Sequence, residues 1–288
     1  MMIRTMWKYL LLFLLVFINF FPSLVSAKDV IYSKEVTVLV YHHIDDHLQG
    51  GVTITTELFK TQLEALNRNG FRFITMDQFK NFMTKGADIP DNAVLITFDD
   101  GYRSFYTNAY PILKKMHIPA VNFVITKDLE NPQGSQLPSL SREDIVRMRK
   151  ENPNIDFQSH SDQMHVQKDG KPMLNNKFMI NGSMETDDQL KLRVISDTKK
   201  SMAKLIELNG AKSVDAYAYP FGSYDDQTID FLHEAGIKYG FTTKTGIASL
   251  KSDPMQIPRI NAGSPYVQAQ SINNLIKQAK RHQLQSLK

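Results

Sequence analysis

Four short segments carry the residue types that bind cations or move protons: Tyr41-His42-His43, Asp99-Asp100-Gly101, His160, and His165 five positions on. Asp99 and Asp100 are neighbours, so their carboxylates project differently and can take separate jobs, one binding a cation and the other staying free as a base. Two aspartates before a glycine are also a common solvated turn. Here the apolar run 94–98 delivers them, which a solvated turn does not need. A spacing of five does not put His160 and His165 on one face of a helix. Both reach one ion if the chain turns back through Ser161 to Met164. Two imidazoles and one carboxylate make a ligand set with an open position, as in catalytic zinc sites, and the set also suits cobalt, nickel or ferrous iron. Of His42 and His43, one fits a proton donor facing the metal from across the fold and the other a structural hydrogen bond. Asp45 and Asp46 either orient that donor or form a turn.

Composition narrows the chemistry further. There is no cysteine, so disulfides, thiolate metal sites and cysteine nucleophiles are excluded. The formal charge of +4, from 34 Lys+Arg against 30 Asp+Glu, is too small an excess to point to nucleic acid. At 288 residues and 42% hydrophobic, the chain can bury one large core.

The elements that must position these groups alternate between extended and helical patterns. Strands are expected at 36–40, 71–74, 93–98, 120–125, 155–158, 214–219, 238–243 and 256–260. Helices are expected from Thr55 or Thr56 to Asn69, from an Asp77 cap to near Gly86, and over 106–116. Further helices are expected over 141–150, 186–209 and 226–235, and a last one capped by Ser271. Residues 162–184 are polar and read as a long surface loop. The alternation implies a parallel sheet with helices outside it. Seven or eight β-α units without a glycine-rich phosphate loop favour a distorted (β/α) barrel of about seven parallel strands in a single domain. Ligands of such folds gather at the carboxyl ends of the strands, and three rims carry ionisable groups there.

The first 27 residues read as an address. Arg4 and Lys8 precede an apolar run from 9 to 21, and Val25-Ser26-Ala27 supplies the small residues of a secretory cleavage site. The alternative, an uncleaved anchor, is short of the roughly 20 residues of a full span. The expectation is a secreted protein comprising residues 28–288, on a Gram-positive surface where a cysteine-free chain is at home. Slight basicity fits retention at an anionic wall.

Together these motifs resemble the NodB-homology polysaccharide deacetylases, carbohydrate esterase family 4. Thr97-Phe98-Asp99-Asp100-Gly101 matches the first family motif, His160-Ser161 with His165 resembles the second with one extra residue, and Tyr219-Pro220-Phe221-Gly222 resembles the third. The long histidine spacing and the early Tyr41-His42 are similar to the branch acting on poly-β-1,6-N-acetyl-D-glucosamine, a biofilm exopolysaccharide. The similarity runs over roughly residues 36–262, and size and leader are nearest its staphylococcal members. It implies Asp99 as general base, Asp100, His160 and His165 as ligands of a divalent metal, zinc first, and His42 as general acid. It also implies a backbone N–H near Phe221 at the oxyanion. Two departures stand out: no arginine precedes the third motif, where Ala216 to Ala218 stand, and the only tryptophan is Trp7. The arginine would tune the base, and the missing late motifs favour a layout with the acid on the first strand.

Aromatic residues near the rims, among them Tyr41, Tyr102, Tyr217, Tyr219, Phe221 and Tyr224, suit stacking on sugar rings, although strand alternation assigns about half of such positions to the core. The expected partner is extracellular poly-N-acetylglucosamine, handled by a monomer. Rival readings are a deacetylase of chitin or peptidoglycan, a glycosidase, and a non-catalytic glycan-binding surface protein. A glycosidase wants its carboxylates about 5–9.5 Å apart across the bond, which neighbours such as Asp99 and Asp100 do not offer.

Overall fold

The computed structural model describes residues 29–286; the leader expected over 1–27 lies outside them. The chain runs β1 (Glu35–Tyr41), α1 (Thr56–Arg68), β2 (Arg72–Phe73), α2 (Met76–Lys85), β3 (Ala93–Phe98), a π-helical turn (Phe105–Ala109) leading into α3 (Tyr110–Met116), and β4 (Ala120–Val124). It continues through α4 (Arg142–Glu151), β5 (Ile155–Ser159), α5 (Asp187–Leu208), β6 (Ala216–Ala218), α6 (Asp226–Ala235), β7 (Tyr239–Phe241), β8 (Ala248–Ser249), β9 (Ile260–Asn261) and α7 (Ile272–Ser286).

The helix starts follow side-chain capping. Thr55 accepts from Leu58 N at α1, and Ser141 with Asp144 forms the expected capping box at α4. Two caps differ from expectation. At α2 the box is made by Thr75 and Gln78, so Asp77 sits inside the first turn, where its charge favours the helix N-terminus. Before α7 the Ser271 hydroxyl donates to the Gln268 carbonyl.

Seven parallel strands follow one another in the order β9-β1-β3-β4-β5-β6-β7, with β2 beside the start of β3 and β8 antiparallel to the start of β1. The two ends of this array are joined by one segment. Ile257 bridges Phe241 of β7, and Ile260 and Asn261 pair with Leu39 and Val40 of β1. The strand expected at 256–260 is therefore the seam that closes a distorted barrel.

Side-chain alternation sorts the strands into two faces. Val36, Val38, Leu95, Val121, Phe123, Ala218 and Phe241 fill the inside. Leu39, Tyr41, Ile96, Phe98, Val124 and Phe157 pack outward against apolar faces that include Phe59 and Leu63 of α1 and Ile145 of α4.

The connection 162–184 is more ordered than a loop. It folds into two small antiparallel ribbons, Gln167–Lys168 with Lys171–Pro172 and Met179–Ile180 with Ser183–Met184. Asp169-Gly170 and Asn181-Gly182 turn them, all four with positive φ, as two-residue hairpin turns require. No helix among the described residues is long and apolar enough to cross a membrane.

Candidate active site

Because the strands are parallel, their carboxyl ends share one rim, and the rim collects the candidate residues. Asp99 and Asp100 follow β3, His160 follows β5, and His42 follows β1. At three turns of the rim, after β3, β5 and β6, a non-glycine residue has a left-handed backbone: Asp100 at φ 72°, Ser161 at 82° and Phe221 at 58°. Such residues are uncommon and concentrate at functional sites, and these three share one rim.

Asp100, His160 and His165 come together. The Nε2 atoms of His160 and His165 lie 3.2 and 3.3 Å from one oxygen, Oδ1 of Asp100. One potential ligand atom from each residue falls within 4.8 Å of the others. Three features make the cluster fit a divalent cation. Asp100 Oδ1 is buried without a hydrogen-bond partner. Nδ1 of His160 sits 2.7 Å from the Ala218 carbonyl, which fixes that nitrogen as donor and leaves Nε2 as the lone-pair ligand. The His165 ring, packed 4.3 Å from Phe221, is kept neutral: burial first, then the charge of His160, push its pKa down to about 4. Burial opposes ionisation of Asp100, yet the two imidazoles and His42 hold its carboxyl well below the usual range. His160, also opposed by burial, is drawn upward by Asp100 and Asp99. Two imidazoles competing for one carboxylate oxygen is an arrangement that a cation resolves. The N₂O donor set suits zinc, cobalt, nickel or iron(II).

Asp99 stands beside this set but is not part of it. Its carboxylate takes a two-pronged grip from Arg259, both contacts at 2.7 Å. Arg259 is 1% exposed and is held in turn by the Thr242 carbonyl, with its guanidinium over the Phe123 ring inside the barrel. Burial alone would raise the Asp99 pKa; the guanidinium, with help from His160 and His42, brings it below the ordinary value. The arginine expected beside the third motif is absent there, and its role falls to Arg259. The signal was present elsewhere, as a lone charge in the apolar stretch Ile257-Pro258-Arg259-Ile260.

His42 does not face the metal set from across the barrel. β1 and β3 are neighbours with Tyr41 opposite Phe98, so His42 lands beside Asp99, Nε2 to Oδ2 4.0 Å. His43 turns away to Thr53 and the Tyr102 ring. Asp45 and Asp46 do not orient either histidine: Asp45 accepts from the His47 and Leu48 amides, and Asp46 accepts from Thr56 N at the start of α1.

Two expected substrate contacts are corrected. Tyr41 is fully buried, stacked on Phe98 and edge-on to Phe59, because a strand sends it outward when it sends His42 to the rim. Tyr219 is 1% exposed, with its hydroxyl on the Met255 carbonyl. Tyr217 is likewise buried. Phe221, 45% exposed and against His165, and Tyr102, half-buried with its hydroxyl pKa raised by burial and by Asp100, remain at the site.

A family model for polysaccharide deacetylase matches residues 86–240. The poly-beta-1,6-N-acetyl-D-glucosamine N-deacetylase of Staphylococcus epidermidis is 33% identical over 208 residues, which is 72% of this chain and 67% of that protein. Among solved structures, the Streptococcus pyogenes deacetylase PplD in complex with acetate superposes with a TM-score of 0.70 at 25% identity, over 85% of this chain and 99% of that one. IcaB from Ammonifex degensii superposes with a TM-score of 0.66 at 25% identity, over 79% and 91%.

Proposed function

The chain belongs to the polysaccharide deacetylase family, and from that footing we propose that it hydrolyses N-acetyl groups of extracellular poly-β-1,6-N-acetyl-D-glucosamine, releasing acetate. The observation that carries the chemistry is the convergence of Asp100, His160 and His165 on one point beside an arginine-gripped Asp99. The staphylococcal relative's named substrate supports the linkage.

A divalent ion held by Asp100, His160 and His165, zinc by preference, supplies Lewis-acid chemistry, which lowers the pKa of water and polarises a carbonyl. Asp99, kept ionised by Arg259, accepts the proton of the attacking water. The Phe221 backbone N–H donates to the oxygen on which negative charge develops, a contribution of about 2.7–4 kcal/mol for one donor of this kind. His42 delivers a proton to the sugar nitrogen as the C–N bond breaks, leaving a free amine on the polymer. Phe221 and Tyr102 offer aromatic surface to the sugar. Acid and base sit side by side on adjacent strands, so the amide must approach the pair from the open rim. The protein is secreted, acts as a monomer and stays at the cell surface, in line with its leader pattern and the polymer it acts on.

The test is acetate release from β-1,6- and β-1,4-linked N-acetylglucosamine oligomers, after chelation and after adding back Zn, Co or Ni. We expect release only with metal and preference for the β-1,6 series. No release under any condition ends the enzyme reading, and equal release from both series ends the linkage assignment.

A further inference from the structure

The turn that joins His160 to His165 is built against helix α5. Between the two histidines the backbone reverses at Ser161. The next two amides, Asp162 N and Gln163 N, both donate to one carboxylate, that of Asp197 on α5, at 2.9 and 2.6 Å. The Asp162 side chain points back and is gripped by Lys204 at 2.9 Å, Lys200 at 2.7 Å and the Thr126 hydroxyl at 2.8 Å. Ser201 meets Ser159 at 2.7 Å, and Ser159 accepts from Ser161 N. Met164, the last residue before His165, is buried in a cluster with Leu190 and Val194. Positions 194, 197, 201 and 204 fall on one face of a helix, and that face is turned to the histidine loop.

We infer that Asp197 is a positioning residue for the metal site: by holding two consecutive amides of the loop, it sets where His165 stands relative to His160. This rests on Asp100, His160 and His165 being the ligands.

The residue touches neither substrate nor ligand atoms, so its effect passes through the loop. Docking of α5 does not need it, since Leu190, Val194 and Leu205 are buried on the same helix. Keeping a carboxylate 8% exposed, close to a second one at Asp162, opposes its ionisation; burial pushes Asp197 up to about 6. An apolar residue would avoid that cost, but it would leave two loop amides without their acceptor. Groups that orient metal ligands from behind typically change metal affinity 10–100-fold when removed.

The experiment uses the full chain and zinc itself. Asp197→Asn keeps the shape, retains one acceptor and turns an NH₂ toward the second amide. Zinc affinity is read by competition with a chromogenic chelator, ligand geometry by the visible spectrum of the cobalt form, and loop order by hydrogen exchange of amides 162 and 163 in chelated protein. We expect zinc binding 10–100-fold weaker, an altered cobalt spectrum and faster exchange at both amides, with the melting temperature of the chelated protein little changed. Lys200→Met, which removes a half-exposed ammonium and leaves the fold safe, shifts the same readouts in the same direction by less. Wild-type zinc affinity and an unchanged cobalt spectrum in Asp197→Asn overturn the inference; should that variant not fold, wild-type values in Lys200→Met do so. His165→Ala separates the two levels: if it too binds zinc normally, the ligand assignment falls and this inference with it.

Discussion

Asp99 is a buried carboxylate that stays charged because Arg259 reaches it. With the guanidinium removed, burial is the largest influence left and acts in the opposite direction. Arg259→Met is therefore expected to move the acid limb of the kcat/KM profile to higher pH and to lower the rate near neutrality about tenfold or more. Arg259→Lys keeps the charge but not the fork, and should fall between. A profile unchanged in the methionine variant would remove Arg259 from the mechanism. Asp99→Asn should lose about 10²–10⁴ in kcat while zinc still binds, because Asp100 is a different residue with a different job. His42→Ala should lose as much on the amide but less on an activated acetyl ester, whose leaving group needs no proton; equal losses on both would argue against proton delivery from His42. Much of this constellation was legible in the sequence, since strand ends are local features and each motif announces its own rim. What was not legible is which rims are neighbours. Arg259 meets Asp99 across 160 positions of chain, and His42 meets it across 57, contacts that depend on strand order rather than on any local pattern.

At the scale of elements, the far end of the connection 162–184 is tied to helix α5 by Arg193. Arg193 binds the Met173 carbonyl at 2.6 Å, the Asn176 carbonyl at 2.9 Å, and Glu185 through two contacts of 2.7 Å. These hydrogen bonds are the first cause holding the Glu185 carboxyl below its ordinary 4.5. The folded protein thus binds that proton less tightly than the unfolded chain does. The contribution is complete above about pH 4.5 and is lost as pH falls through the lower folded value. Glu185→Gln is expected to cost about 1.5–3 kcal/mol at neutral pH, as for a hydrogen bond to a charged group. Urea unfolding of chelated protein at pH 7 and below pH 4 should show the gap between variant and wild type closing in acid; a constant gap would place the cost in packing rather than charge. The ribbons in this connection illustrate how local signals can be underread. Asp169-Gly170 and Asn181-Gly182 are hairpin turns by their residues alone, but flanks only two residues long do not look like strands until Arg193 and Glu185 fold the segment back.

For the whole molecule, the decisive feature is that the barrel closes through a single narrow seam. Gly240 on β7 donates to the Pro254 carbonyl and accepts from Ile257 N, both at 2.8 Å, so its backbone touches the closing segment directly. A Cβ at this position would collide with the Met255 carbonyl and the Tyr219 hydroxyl. Relief requires the seam to move outward, and the seam carries Arg259 two residues beyond Ile257. Gly240→Ala should therefore cost about 1–3 kcal/mol through overpacking, a drop of about 2–12 °C in melting temperature for a chain of this size. Its catalytic consequence should be selective. The metal ligands follow β3 and β5, neither of which pairs with the seam, so zinc affinity should hold while kcat falls and the acid limb of the pH profile shifts as in Arg259→Met. Gly51→Ala, at a position where a Cβ meets nothing within 4 Å, is the matched control and should change none of these. If Gly240→Ala weakened zinc binding as much as it lowered kcat, the seam would be supporting the barrel as a whole rather than delivering one arginine to one carboxylate.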